Sequence, residues 1–306
     1  MTVYVLGSLN IDLVSTVERM PNPGETVSGT SFKTYIGGKG LNQAVGCSRA
    51  GAQVVMLGAV GNDNYGKELL EALRAEGISD KCISHKNGAS GVAVIETDAT
   101  GQNRIVVIPG SNGLLTPANI PDEVFQDRTA KYFIAQLETP VTTVINVFTR
   151  AKRAGFMTAL NPAPAQKLSS ELLSQVDLIT PNQFEAELLT GIKVVDHPSA
   201  IKAGRVLLKQ GVKQVIVTLG EDGAMFVSPD ETFHQPAFSV SVVDTTGAGD
   251  TFCGGLIAKL SEGLSMKDSM RYATAAAGLS TTRAGAVPSI PTSTEVSSLL
   301  QGGRNA

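Results

Sequence analysis

A chain of 306 residues with 42% hydrophobic and 17% charged residues is long enough for a large buried core and too apolar to be disordered. A net charge of −3 and an aromatic content of 5% exclude a basic, aromatic-studded surface for nucleic acid. Three widely spaced cysteines, Cys47, Cys82 and Cys253, indicate neither a disulfide framework nor a zinc site and point to a reducing compartment, the cytoplasm.

The first strand, in "MTVYVLGSLNIDLV", follows no basic leader, and its apolar run is broken at Asn10 and Asp12. No apolar run approaches the ~20 residues of a membrane span, so neither a signal peptide nor a membrane partner is expected. Further along, "VVMLGAVG", "YFIAQL", "FMTALNP", "DLITPN" and "QVIVTLG" read as strands between helical patterns such as "YGKELLEALRAEG" and "VTTVINVFTRAKRAG". This alternation predicts βαβ units and a parallel sheet covered on both faces, with functional groups at the C-terminal strand ends. Two stretches break it, "GETVSGTSFKTYIGG" and "SGVAVIETDATGQNRIVVIPGS", the second with a hairpin at "TDATGQN". They predict a small antiparallel lid, the alternative being an extra edge hairpin. Disorder is expected only in the tail "QGGRNA".

Two nucleotide-binding signatures fail on inspection. "IGGKGLN" has Lys33 where a P-loop needs its first glycine and Gly40 where it needs Ser or Thr, and "GAGDTF" has Phe252 at the last glycine of a dinucleotide fingerprint. A different chemistry fits "VVDTTGAGD": the backbone N–H groups of Gly247, Ala248 and Gly249 turn inward at a helix N-terminus as an anion hole, and Asp250 stands beside it within reach of an acceptor hydroxyl. The competing reading is that Asp250 caps its helix.

Other polar groups stand at strand ends. Asn10 and Asp12 in "GSLNID" suit vicinal sugar hydroxyls or an Asx turn, and Gly38, Lys39 and Asn42 in "GGKGLNQAV" suit a polyol. In "TPNQFEAELLTG", Asn182 and Glu185 face a metal-bound phosphate cluster or serve the helix dipole, while Glu187 points to solvent. Thr218 and Gly220 in "VTLGEDGA" form a second glycine turn near a nucleotide. His85, His197 and His234 lack metal-ligand spacing, and the absence of a G-x-S-x-G elbow excludes that class of hydrolase.

The ordered series "GSLNIDLV", "PNPGET", "GGKGLNQAV", "VIPGSN", "QLETP", "LNPAPA", "TPNQFEAELLTG", "VTLGEDGA", "DTTGAGDTF" and "GAVPSIP" resembles the ribokinase family of carbohydrate kinases across nearly the whole chain. The resemblance implies one α/β domain over residues 1–306, a three-layer α/β/α sandwich with a mostly parallel sheet and an antiparallel lid from about 24–37 and 90–111. It implies phosphoryl transfer from ATP to the 5-hydroxyl of a pentose, D-ribose first, with 2-deoxyribose, another pentose or a nucleoside as alternatives. A sugar sensor without catalysis is the alternative from another class. By position, Asp250 is the base beside the anion hole, and Asn10, Asp12, Gly38, Lys39, Asn42 and Glu138 are the sugar contacts. Asn182, Thr218, Gly220 and Gly223 hold nucleotide with Gly249 and Thr274, and Glu185 acts through the Mg²⁺ shell. A monovalent cation, K⁺, falls on Asp244, Thr246, Ser280, Arg283, Gly285 and Ser289. Two residues depart from the family pattern: Thr274, near the adenine where Asn or His is frequent, and Cys253, where "DTFNG" is common. A homodimer formed through the lid is implied as well.

Overall fold

The computed structural model describes residues 1–302. In chain order the elements begin β1 (Thr2–Leu6), β2 (Asn10–Val17), β3 (Gly29–Gly37), α1 (Lys39–Arg49), β4 (Gln53–Gly61), α2 (Asn64–Ala75), β5 (Ser79–Lys86), β6 (Gly91–Thr97) and β7 (Asn103–Ile108). They continue with β8 (Ala130–Ala135), α3 (Val141–Arg153), β9 (Met157–Leu160), α4 (Ser170–Leu173), β10 (Leu178–Ile179), α5 (Gln183–Thr190) and α6 (His197–Lys209). The chain closes with β11 (Gln214–Thr218), β12 (Ala224–Val227), β13 (Thr232–Gln235), α7 (Ala248–Glu262), α8 (Met266–Ser280) and α9 (Ser293–Gly302). Gln301 and Gly302 of the expected disordered tail thus end a helix, and 303–306 lie outside the described residues.

Nine strands form one sheet in the order β13-β12-β11-β10-β9-β8-β1-β4-β5, parallel from β11 to β5 and antiparallel at β12 and β13. Its central strands are apolar on both faces because each face meets a helical layer. Val3, Val5, Val54 and Met56 pack with Leu41 of α1, Leu256 of α7 and Met270 of α8. Their neighbours Tyr4, Leu6, Val55 and Leu57 pack on the other side with Val147 and Phe148 of α3 and Leu207 of α6. Alternate residues therefore serve opposite layers, which is why these strands read as unbroken apolar runs.

The second sheet has the order β3-β2-β6-β7. Pairs β2–β3 and β6–β7 are antiparallel, and β2–β6 is parallel. The segment Asn10–Val17, which lies outside the lid segments expected at about 24–37 and 90–111, is also a strand of this sheet. Its polar residues Asn10 and Asp12 concealed it. Asn10 stands at the root of the sheet, paired with Gly37 on one side and Gly91 on the other. Both neighbours lack a Cβ for a reason: one on Gly37 would lie 2.2 Å from Asp12 Oδ2, and one on Gly91 2.1 Å from Asn10 Oδ1.

Candidate active site

The C-terminal ends of β9, β10 and β11 and the start of α7 enclose a cleft of about 210 Å³. It is lined by Lys39, Asn161, Thr180, Asn182, Glu185, Thr218, Gly247, Gly249, Asp250 and Cys253, among others. A cavity of about 240 Å³ at the N-terminal strand ends, between Tyr132, Met157, Leu178, Leu260 and Met266, is larger. It offers no carboxylate, and the start of α8 that borders it at Met266 is already capped by Ser265, so the chemistry belongs to the cleft.

Asp250 is 5% exposed and does not cap its helix. The N-cap of α7 is Gly247, without a side-chain bond, and the Asp250 oxygens turn to α1 instead. Oδ2 accepts from Asn42 Nδ2 at 3.0 Å and Oδ1 from Gln43 Nε2 at 2.9 Å. That reach is possible because α1 and α7 touch through glycines: a Cβ on Gly254 would lie 2.7 Å from Gln43 O. Two amide donors hold a buried carboxylate in one orientation.

Beside it, Gly247 adopts a left-handed φ of 75° that turns the chain into α7. Of the three expected anion-hole amides, Ala248 N–H already donates to Thr245 O at 3.2 Å. Among the described residues the N–H groups of Gly247, Gly249 and Asp250 have no protein partner, so two of the expected donors are free and Asp250 stands in for Ala248. A Cβ on Gly249 would meet nothing within 4 Å. The fold does not require that glycine; it leaves the space open.

On the opposite side, Glu138 Oε2 accepts from Ser8 Oγ at 2.5 Å and from Lys39 N at 3.1 Å, joining the end of β8 to the start of α1. Gly38, with φ 93°, sits against the chain at Asn10, where a Cβ would approach the Asn10 N to 2.8 Å. Asn10 Oδ1 accepts from Asn112 Nδ2 at 2.8 Å, and Asn112 also holds the Leu9 N–H and carbonyl. The Asn10 amide nitrogen is thereby left free. Burial, then the charges of Glu138 and Asp250, push the Asp12 carboxyl up to about 7. The Asp250 charge holds the Lys39 ammonium above its ordinary value, against the cost of burial.

At the far end, Asn182 and Glu185 form a reciprocal capping box on α5, with Glu185 N to Asn182 Oδ1 at 2.8 Å and Asn182 N to Glu185 Oε2 at 2.9 Å. Glu185 is buried, and burial raises its carboxyl pKa against the pull of the Asn182 N–H and Lys39. Its second oxygen is outside the capping box. Glu187 is exposed, as expected. Thr218 bridges to Asn182 in register, and Gly220 opens a short turn with φ 61°. Gly223 has a packing duty: a Cβ there would lie 2.1 Å from Gln235 O. Thr274 is buried in α8 with its hydroxyl bonded to Met270 O at 2.8 Å, and it does not line the cleft. Its hydroxyl is thus committed to the helix backbone.

Asp244 ties two loops together. Oδ1 accepts from Thr246 N and Oγ1 at 2.9 and 2.7 Å, and Oδ2 from Gly285 N at 2.8 Å. Burial opposes its charge, yet these bonds hold its pKa below the usual range. Ser280 and Ser289 are buried with hydroxyls donated to Ala277 O and Ala286 O, leaving their lone pairs available. Arg283 is paired with Glu295.

Cys253 now has an account. Its Sγ lies 3.1 Å from Thr180 Oγ1 at the cleft floor, and burial pushes the thiol up to about 12, so it packs rather than reacts. His197 and His234 stack with ring centroids 4.1 Å apart, away from the cleft. Gln43, Gln136, Asn161 and Thr180 were not singled out in the sequence, although "GGKGLNQAV", "QLETP", "LNPAPA" and "TPNQFEAELLTG" contain them. Amides and hydroxyls carry no periodic signal, and only the packing brings them to Asp250.

The model of the pfkB family carbohydrate kinases matches residues 2–293. The chain is 40% identical over 304 residues to a ribokinase of Haemophilus influenzae, covering 98% of each. It is 34% identical over 293 residues to a deoxyribokinase of Salmonella typhimurium, covering 95% of this chain and 96% of that one. An Arabidopsis thaliana ribokinase solved with ribose and ATP superposes with a TM-score of 0.92 at 34% identity, covering 98% of each chain. With a buried carboxylate beside unpaired helix amides at the strand ends, and matches that span the whole described fold, the chain belongs to the pfkB family of carbohydrate kinases.

Proposed function

We propose that the protein transfers the γ-phosphoryl group of ATP to the 5-hydroxyl of D-ribose, giving D-ribose 5-phosphate and ADP. The observation that carries this reading is Asp250, buried and oriented by α1 at the lip of three free backbone N–H groups. In the reaction Asp250 accepts the hydroxyl proton as the sugar oxygen bonds to the γ-phosphorus and the bond from phosphorus to the ADP oxygen breaks. The N–H groups of Gly247, Gly249 and Asp250 receive the negative charge gathering on the phosphoryl oxygens. Asn10, Asp12, Asn42 and Glu138 hold the sugar hydroxyls, and Asn182, Thr218 and Gly220 take the nucleotide.

Glu185 suits Mg²⁺ held through water, because a single half-committed carboxylate cannot fill an octahedral shell alone. When bound, Mg²⁺ neutralises phosphate charge. Asp244, Thr246, Ser280, Gly285 and Ser289 bring loop carbonyls and hydroxyls together in a way that suits K⁺, with Asp244 acting as the tie between loops. Residues 1–306 are read as one domain with the small sheet as its lid. Phe32, Ile105, Val106, Val107 and Ile108 are exposed on that sheet, and a second copy of the chain fits this apolar face and its open strand edge. Three buried free cysteines fit the cytoplasm, and no described helix is long and apolar enough to cross a membrane.

A 2-deoxyribose kinase is the second reading, favoured by the Salmonella relative. Asp12 discriminates, since a carboxylate aimed at vicinal hydroxyls loses a partner when one is deleted, about 1–3 kcal/mol. The deciding assay is sugar-dependent ADP release on ribose and deoxyribose, with and without K⁺. A clear ribose preference is expected. Equal turnover on both sugars overturns the ribose assignment, and no ADP release on any sugar leaves a sensor.

A further inference from the structure

Behind Asp250 lies a chain of buried amides that the reaction scheme above does not use. Gln43 is fully buried, and its Nε2 donates to Asp250 Oδ1 at 2.9 Å and to Asn161 Oδ1 at 3.2 Å. Its Oε1 accepts from Gln136 Nε2 at 2.6 Å, and Gln136 is fully buried too. Asn161 is anchored in turn, donating Nδ2 to Thr180 O at 3.0 Å. Gln136 lies against Gly7, where a Cβ would fall 2.1 Å from Gln136 Oε1. The glycine of "GSLNID" is the space that lets Gln136 turn toward α1.

A glutamine amide has a donor end and an acceptor end, and which faces a carboxylate is decided by its other partner. The Gln136 N–H occupies the acceptor end of Gln43 and the Asp250 carboxylate its donor end, so the two partners together set the sense of the amide, while Gln136 Oε1 has no partner among the described residues. Reversing Gln43 would set its carbonyl against the carboxylate and its NH₂ against the NH₂ of Gln136, two repulsive contacts between buried side chains. Asn42 supplies the donor to the other carboxylate oxygen. Asp250 is therefore gripped on both oxygens from one side, which leaves its remaining lone pairs toward the cleft.

We propose that Gln43, oriented by Gln136, is a positioning residue for catalysis: it fixes the rotamer and the open face of Asp250. This rests on the reading of Asp250 as the base. The relay acts on the transition state more than on either substrate, so its loss lowers kcat and leaves KM for ribose and ATP nearly unchanged.

The test is a double-mutant cycle on the full chain, with Asp250→Asn measured in parallel. Gln43→Leu is expected to lower kcat by ~10–100-fold with both KM values within about 3-fold. Gln136→Leu is expected to lower kcat by ~3–10-fold, and the double variant to fall no further than Gln43→Leu alone, because the two act through one carboxylate. Wild-type kcat in folded Gln43→Leu, or full additivity of the two losses, overturns the proposal. If Gln43→Leu does not fold, Gln136→Leu decides: unchanged kcat, or a KM effect equal to the kcat effect, overturns it. Substantial turnover in Asp250→Asn removes the base assignment itself, whereas a dead Asp250→Asn with an active Gln43→Leu removes only the positioning role.

Discussion

At the end of the cleft assigned to the sugar, Asp12 lies in the field of Glu138 and Asp250, and burial with that repulsion lifts its carboxyl to about 7. At the end assigned to the phosphates, the lining is backbone N–H from Gly247, Gly249 and Asp250, with the Lys39 ammonium nearby. The acidic groups there, Glu185 and Asp244, already accept from backbone N–H donors. One end gathers the carboxylates of Asp12, Glu138 and Asp250 and welcomes neutral hydroxyl donors, while the other presents unpaired backbone N–H groups and welcomes an anion. The difference teaches that the orientation of the two substrates is written in the electrostatics before either arrives, with Asp250 at the boundary.

Removing the boundary residue has the largest expected effect. Asp250→Ala or Asp250→Asn should lower kcat by at least ~10³-fold while ribose and ATP still bind, read by ADP release and by calorimetric titration. Near-normal turnover would erase the distinction between the two ends. Next, Gly249→Ala tests the anion end alone: the added methyl meets no protein atom, so the melting temperature should hold within about 1 °C. Turnover should drop ~10–100-fold as the methyl crowds the phosphate. A destabilised Gly249→Ala would show that the glycine serves the fold.

Asp12→Asn tests the sugar end. Ribose KM should rise ~10–100-fold, and much less for deoxyribose. In the wild type, ribose KM should rise ~5–10-fold as pH falls from 8 to 6 and Asp12 takes up a proton, a dependence that Asp12→Asn flattens. The stability effect has the opposite sign. A pKa raised from about 3.9 unfolded to about 7 folded means the native state binds the extra proton in that window, so stability falls as pH climbs through it. Asp12→Asn should therefore melt higher than wild type at pH 8 and nearly level with it at pH 4. Equal shifts at both pH values would deny the buried charge. The smallest catalytic effect belongs to Val106→Lys on the exposed strand, which should reduce self-association in sedimentation while kcat stays within about 2-fold.

The central sheet was legible because its physics is local. "VYVLG" and "VVMLGAVG" are apolar at every position, and each became a strand between two packed helical layers. The edge of the small sheet was legible for a similar reason, with the hairpin at "TDATGQN" closing β6 onto β7. The strand Asn10–Val17 was hidden, since a residue chosen for chemistry breaks the alternation that announces a strand. Capping, the competing reading at Asp250, is not formed there, whereas Glu185, expected to face a phosphate cluster or serve the helix dipole, closes a capping box. In both cases one residue pattern admits two geometries.

What the amino-acid sequence determined by itself was the layered α/β order, the glycine turn at 247–249 and the carboxylate that follows it. These depend on side-chain period and on backbone conformations that glycine permits. Only the tertiary structure decided that Asp250 is gripped by Asn42 and Gln43 from 207 or more residues away, and that the free amides are those of Gly247, Gly249 and Asp250. Hydrogen-bond partners of amides and hydroxyls depend on which surfaces meet. That meeting is set by the close approach of α1 to α7 across Gly46 and Gly254, which no local pattern encodes.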